Sequence, residues 1–174
     1  MKSFRLLCSL LAATAVSAAA AQPISFPRKT IGIEAAEKMA DACLAWYKAH
    51  PNPSKPAVWV LSANGDPIFM KRIDGSTRIG VVTGKMKADT ALYFSRSSKE
   101  TQAFFKSPKG ETNPTGLVQN ILLGGYPSPD GLPIVVDGAV IGAIGVGGMV
   151  PDAAHNIWPD EQCAQAGIDA VFKK

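Results

Sequence analysis

Residues 131–148 read GLPIVVDGAVIGAIGVGG. Two apolar runs, Leu132–Val136 and Ala139–Val146, flank the pair Asp137-Gly138. An Asp-Gly pair between β-branched runs specifies a tight type I′ hairpin, because Gly accepts the positive φ that such a turn requires. The second run carries Gly142, Gly145, Gly147 and Gly148. Glycines near a strand end let a second backbone or a ligand come close. Two readings follow: a central hairpin with a glycine-rich exit, or the floor of a ligand pocket.

A second hairpin is expected upstream. Ala57–Ala63 and Ile68–Ile73 alternate as strands around Asn64-Gly65, the other favoured hairpin pair. Val58, Val60 and Ser62 face one way, and Trp59 and Leu61 the other. Helical periodicity covers the rest. A first helix runs from Gly32 to Ala49, with Ile33, Ala36, Ala40, Cys43, Leu44 and Tyr47 on one face, and Pro51 and Pro53 stop it. His50 reads as a solvated histidine at the helix end. A second helix fits Arg78 to Ser95, capped by Ser76, with Ile79, Val82, Met86 and Tyr93 as its apolar stripe. Gly80, Gly84 and Ala88 recur every four residues, at about 1 kcal/mol per glycine relative to Ala; close packing on the sheet or on another subunit explains them. Short helices are expected at Ser98–Lys106, anchored by Phe104 and Phe105, and at Gly116–Leu123. A last helix spans Pro159–Phe172, with Asp160 and Glu161 in its first turn and Cys163, Ala166, Ala170 and Val171 inside. Helix, hairpin, helices, hairpin, helix is an α+β layout.

Residues 1–21 have the form of a secretory signal peptide. Lys2 and Arg5 precede an apolar core from Leu6 to Val16, which ends in small residues suited to cleavage. That core is too short to span a bilayer, so an exported protein, periplasmic or extracellular, is expected. Residues 22–30 form a flexible lead-in, and residues 31–174 one domain. Without Lys2 and Arg5, the 18 basic residues fall to 16 against 14 acidic. A net charge this small carries no clustered nucleic-acid footprint. Two cysteines remain, Cys43 and Cys163. Export permits a disulfide, which requires the first and last helices to lie side by side; two buried thiols are the alternative. No Gly-x-Ser-x-Gly elbow, Walker loop or dinucleotide fingerprint is present, and the two histidines, His50 and His155, suggest no triad.

Taken in order, four segments resemble a known family: IGIEAAEKMADACL at 31–44, VLSANGDPIFMKRIDGSTRIGVVTGKMKADTALYFSR at 60–96, LPIVVDGAVIGAIGVGG at 132–148 and DEQCAQAGIDAV at 160–171. Together they are similar to the GlcG/HbpS family of haem-binding and haem-degrading-type proteins, also found as the C-terminal module of PduO-type proteins. The resemblance implies a profilin-like α/β sandwich, an antiparallel sheet with the first and last helices on one face. It also implies homo-oligomers and haem or tetrapyrrole as ligand, in oxidant protection or sensing. The alternatives are a periplasmic enzyme or accessory protein of small hydroxy-acid or alcohol oxidation, and a structural oligomer without ligand. Met86, Lys87 and Asp89 depart from the family pattern, as does the extension from Met149 through Trp158 that holds His155.

A haem needs an apolar slot, cations for its propionates and an iron ligand. The expected pocket lies where Lys85, Gly125–Gly131 and Gly145–Gly148 converge. Lys85 or Arg78 would meet propionates; Gly125, Gly145, Gly147 and Gly148 would line the floor; Tyr126, Met149 or His155 would approach iron. No protein-ligated metal other than haem iron is expected.

Overall fold

The computed structural model describes residues 27–106, 111 and 113–173. The signal peptide, most of the lead-in and part of the 107–115 loop lie outside the described residues. The elements are α1 (Ile33–Ala49), β1 (Ala57–Ser62), β2 (Pro67–Arg72), α2 (Arg78–Phe94), α3 (Ser98–Phe104), α4 (Pro114–Leu122), β3 (Gly131–Val136), β4 (Ala139–Gly147) and α5 (Pro159–Phe172). The strands form one antiparallel sheet in the order β2-β1-β4-β3, so the two hairpins share a layer. α1 and α5 pack together on one face. α2 covers the other, lying over β4, β3 and β1. This is the α+β sandwich expected from the sequence.

The β3–β4 turn has positive φ at both central residues, Asp137 (50°) and Gly138 (75°), as a type I′ turn requires. The β1–β2 turn differs. Only Gly65 has positive φ; Gly65 N donates to Ser62 O, and Ser62 N to Asp66 O. The Ser62 hydroxyl accepts from the backbone N–H groups of Asn64 and Asp66, and this side-chain anchor widens the turn beyond two residues. Thr30 Oγ1 accepts from Ala63 N, and Lys29 pairs with Asp137 at 3.1 Å. The described end of the lead-in is therefore tied across both hairpins.

Between the sheet and α1/α5 lies the main core, built from Met39, Cys43, Val58, Val60, Ile134, Ile144, Val146 and Cys163. The first and last helices cross closely. A Cβ on Gly167 would sit 2.7 Å from Met39 O, and Cys43 and Cys163 are joined by a disulfide with their Cα atoms 4.4 Å apart. The buried positions of α5 are Cys163, Ala164 and Gly167; Ala166 and Ala170, expected inside, are half-buried because that approach rotates the helix toward its smallest residues.

α2 corrects the periodicity reading. Thr77, not Ser76, is its N-cap, accepting from Gly80 N, while the Ser76 hydroxyl donates to Pro56 O and Ile73 O. The apolar stripe faces outward: Ile79 is 67% exposed, and Val82 and Tyr93 are also open. The helix turns its Gly80, Gly84, Ala88 and Ala91 side inward. The sheet below it is built of Gly145 and Gly147, and only a glycine–alanine ridge approaches that closely. Trp59 Nε1 clamps the helix by donating to Val81 O at 2.8 Å. In α3, capped by a Ser97/Glu100 box, Phe105 is buried but Phe104 is exposed, so one ring rather than two anchors it.

Candidate functional site

The glycine-bordered end of β4 is filled. A Cβ on Gly145 would lie 2.6 Å from Ala88 N, and one on Gly147 2.6 Å from Gly84 N. A Cβ on Gly80 would lie 2.8 Å from Gly148 Cα. Backbone of α2 thus occupies the space expected to be the floor of a pocket. The first of the two readings of this stretch, a glycine-rich exit, is the one the structure shows. Gly125 lies elsewhere, with the Asn120 side chain where its Cβ would be, and Tyr126 N donates to Thr90 Oγ1 at 2.7 Å. Lys85 points along α2 to Asp89 (2.8 Å) rather than into a hollow, and Arg78 is exposed at the start of the helix. Met149 is buried in the main core. The expected convergence of Lys85, Gly125, Tyr126 and Gly145–Gly148 on one pocket does not occur, because glycines that admit a ligand equally admit a helix.

Sequence reasoning missed a buried charge cluster at the same end of the sheet. Lys87 Nζ lies 2.7 Å from Asp130 Oδ2 and 3.2 Å from Asp160 Oδ2. All three residues are at least 94% buried. Asp130 Oδ1 accepts from Glu161 N, and Asp160 Oδ1 from Met149 N. The cluster joins α2, the entry to β3 and the first turn of α5, so it braces helices on opposite faces of the sheet. Asp130 sits at φ 104°, a costly conformation for a non-glycine residue that persists where its surroundings over-determine it. Burial, partly offset by the Lys87 charge, pushes the Asp130 carboxyl up to about 6. Asp160 is also raised, chiefly by burial. The Lys87 ammonium is raised too: burial, the largest influence, opposes its charge, and the two carboxylates outweigh it. The ion pairs and backbone hydrogen bonds of the cluster tie α2, the entry to β3 and α5 together.

Two clefts flank α1. One, of about 390 Å³, opens between the end of α1 and the 149–158 extension, lined by Trp46, His50, Pro51, Val150, Ile157 and Pro159 among others. The His50 ring stacks on Trp46 with centroids 4.3 Å apart, and its Nδ1 lies 2.9 Å from Trp46 O. Asn52 fixes the far wall, its amide donating to Val150 O and its Oδ1 accepting from Val150 N, both at 3.0 Å. Asp152, on the rim, holds His155 through Nδ1 at 2.6 Å; the His155 side chain is 74% exposed. The other cleft, of about 540 Å³, runs between α1 and β2 over Leu44, Ala45 and Ile73. Its edges carry Lys48, Lys55, Lys71 and Arg72 against Asp41 and Asp74. Only Lys71 has a carboxylate partner there among the described residues, Asp41. The two requirements of a haem are thus met in different clefts: apolar walls with an imidazole in one, spare cations in the other. Among the described residues, no group of three His, Cys, Asp or Glu side chains is placed to hold a metal ion by itself. No helix among them is long and apolar enough to cross a membrane.

The sequence model described as haem-degrading protein, HbpS-like, matches residues 31–169. The chain belongs to the HbpS-like family. Solved structures share its fold. A Klebsiella pneumoniae protein, ORFY, of the DUF336 family is 21% identical with a TM-score of 0.75; the match covers 89% of this chain and 99% of that one. A double mutant of HbpS from Streptomyces reticuli is 24% identical with a TM-score of 0.71, covering 92% and 99%. A PduOC–haem complex is 17% identical with a TM-score of 0.68, covering 82% and 96%. No curated protein sequence matches the chain significantly.

Proposed function

We propose that this member of the HbpS-like family is exported, binds haem or a related tetrapyrrole, and serves in oxidant protection or sensing. The observation that carries the reading is the family match over 31–169, together with a haem complex among the proteins of the same fold. The cleft at the end of α1 offers mainly apolar walls and a volume of about 390 Å³, within the range of small-molecule sites, and the cations that propionates need line the separate cleft between α1 and β2. When bound, a haem supplies the redox and oxygen chemistry; the chain supplies the slot and the iron ligand. Export is tested by the N-terminus of protein recovered outside the cytoplasm, which should begin near residue 20–22.

A second reading is favoured by the cationic cleft. Among the described residues, three of its four cations have no carboxylate partner, a setting suited to a small hydroxy acid and to a role beside its oxidation. Thermal melts separate the two readings. Hemin at micromolar concentration should raise the melting temperature if the first holds, and millimolar glycolate or lactate if the second does.

Homo-oligomerisation accompanies either reading. The outward stripe of α2 continues into Val118, Ile121, Leu122 and Leu123 of α4 and its exit, all exposed. Tyr93 joins the two runs by donating to Leu123 O at 2.8 Å. Exposed apolar side chains grouped on two adjoining helices mark an interaction site, and a second copy of the chain is the occupant proposed.

A further inference from the structure

We propose that the cleft along the outer side of the first turns of α5 binds a chain of neutral sugar rings, with Trp158 as the stacking surface. This goes beyond the haem reading and does not depend on it.

Helix spacing places the residues. Trp158, the N-cap of α5, and Glu161, Gln162 and Gln165 recur at intervals of three and four, so they share one stripe of the helix. The buried residues Cys163, Ala164 and Gly167 take the opposite side. Lys99 from α3 and Asn156 from the 149–158 extension close a cleft of about 270 Å³ over the outer stripe. Trp158 Nε1 donates to Asn156 Oδ1 at 2.9 Å. The one polar group of the indole is thereby used within the chain, and what the ring offers the cleft is apolar surface. Asn156 holds this position at φ 54°, a left-handed backbone that asparagine adopts more readily than most residues.

Every other lining side chain is hydrophilic, yet the cleft carries no net charge. Lys99 and Glu161 are its only ionised residues, and they pair at 3.5 Å. This differs from the cationic cleft beside β2 and selects against an ionic ligand. Gln165 commits its amide nitrogen to Asp169 and keeps an oxygen to accept with. The exposed Gln162 presents both an oxygen and an NH2 group. Donors and acceptors thus stand side by side, and a sugar hydroxyl both donates and accepts. The C–H face of a sugar ring is apolar and suits the face of an indole. The cleft does not end at one ring. Gln162 also lines the cleft at the end of α1, and Lys99, Glu161 and Gln165 also line a groove of about 720 Å³ beside β3. A single ring would leave this band empty, whereas a chain of rings follows it. An extended peptide fits less well: the edge strand β3 carries Pro133, which has no N–H to give a backbone ladder.

The test is calorimetric titration of the mature, disulfide-intact protein with cellotetraose, maltotetraose and the tetramer of N-acetylglucosamine. Glucose, tetraalanine and citrate serve as comparison probes. At least one of the three tetrasaccharides should bind, more tightly than glucose, and should change the tryptophan fluorescence. Trp158→Ala should weaken that binding about tenfold, the factor that about 1.4 kcal/mol of lost aromatic contact gives, while Trp158→Phe should retain most of it. Gln162→Ala, at an exposed position, should weaken binding with an unchanged melting temperature, and it carries the test if Trp158→Ala unfolds. No heat with any of the three tetrasaccharides overturns the proposal. Equal affinity in wild type, W158A and Q162A also overturns it, because the sugar then sits elsewhere. Tighter binding of tetraalanine would assign the cleft to a peptide, and of citrate to an anion; either result overturns it too. Hemin has no part in these titrations, so the haem reading stands or falls separately.

Discussion

Asp130→Asn isolates the buried charge cluster. In the folded chain the Asp130 carboxyl is pushed from its ordinary 3.8 to about 6 by burial against the weaker pull of Lys87. The folded state therefore holds that proton more tightly than the unfolded chain does. Stability from this group is fully present below about pH 4 and is lost as pH rises through about 6. At about 1.4 kcal/mol per pH unit, the loss is about 3 kcal/mol. Asparagine keeps an oxygen for Glu161 N–H but does not titrate. It places a neutral amide near Lys87 at every pH, whereas the wild-type carboxyl is neutral there only below about pH 6. The informative quantity is the stability of wild type minus that of the variant, which should fall by about 3 kcal/mol between pH 4 and pH 7. Urea unfolding at constant ionic strength, under non-reducing conditions, measures both curves. Parallel profiles for the two proteins would refute the placement of a strained, partly protonated carboxyl beside Lys87.

Three further outcomes are expected. Replacing both Cys43 and Cys163 with alanine should cost roughly 3–5 kcal/mol in urea, because the disulfide closes a loop with a sequence separation of 120; a loss under 1 kcal/mol would mean that the α1–α5 crossing stands without it. Gly145→Ala should destabilise by about 1–3 kcal/mol or more, since its Cβ meets α2 backbone at Ala88; a neutral effect would mean that α2 is not seated on β4. Leu122→Glu, at a position 79% exposed, should leave the melting temperature of the monomer unchanged while lowering the mass seen by light scattering. An unchanged mass would place the subunit contact elsewhere.

The frame of this fold was legible because its signals are local. Asp137-Gly138 and Asn64-Gly65 marked both hairpins, and proline and glycine marked the helix limits. A Cys43–Cys163 disulfide, one of the two readings open for these residues, required α1 and α5 to be neighbours, as they are. α2 misled because its larger apolar residues, Ile79, Val82 and Tyr93, normally point inward. Here the glycine-built sheet selects the small side, and that preference depends on strand residues more than 50 positions away. The charge cluster was hidden for a similar reason. Lys87, Asp130 and Asp160 are separated by 43 and 73 residues from the lysine, and each alone resembles a solvated side chain. Asp160 even suits its position as an ordinary first-turn acid of α5. The expected pocket failed because a strand glycine signals close approach without saying what approaches. His50 was readable as a helix-end residue, but the cleft it lines depends on Trp46 and on the distant extension that holds Val150 and Ile157.

Tetrapyrrole binding by this chain is open to direct optical test. The most direct measurement is absorbance from 350 to 700 nm, roughly the window of haem bands, as hemin is added to the mature, disulfide-intact protein, with free hemin in the reference cell. A saturable Soret band with a fixed ratio of haem to subunit is the predicted result. A linear, unsaturated rise matching that of hemin with an unrelated protein of similar size would contradict it.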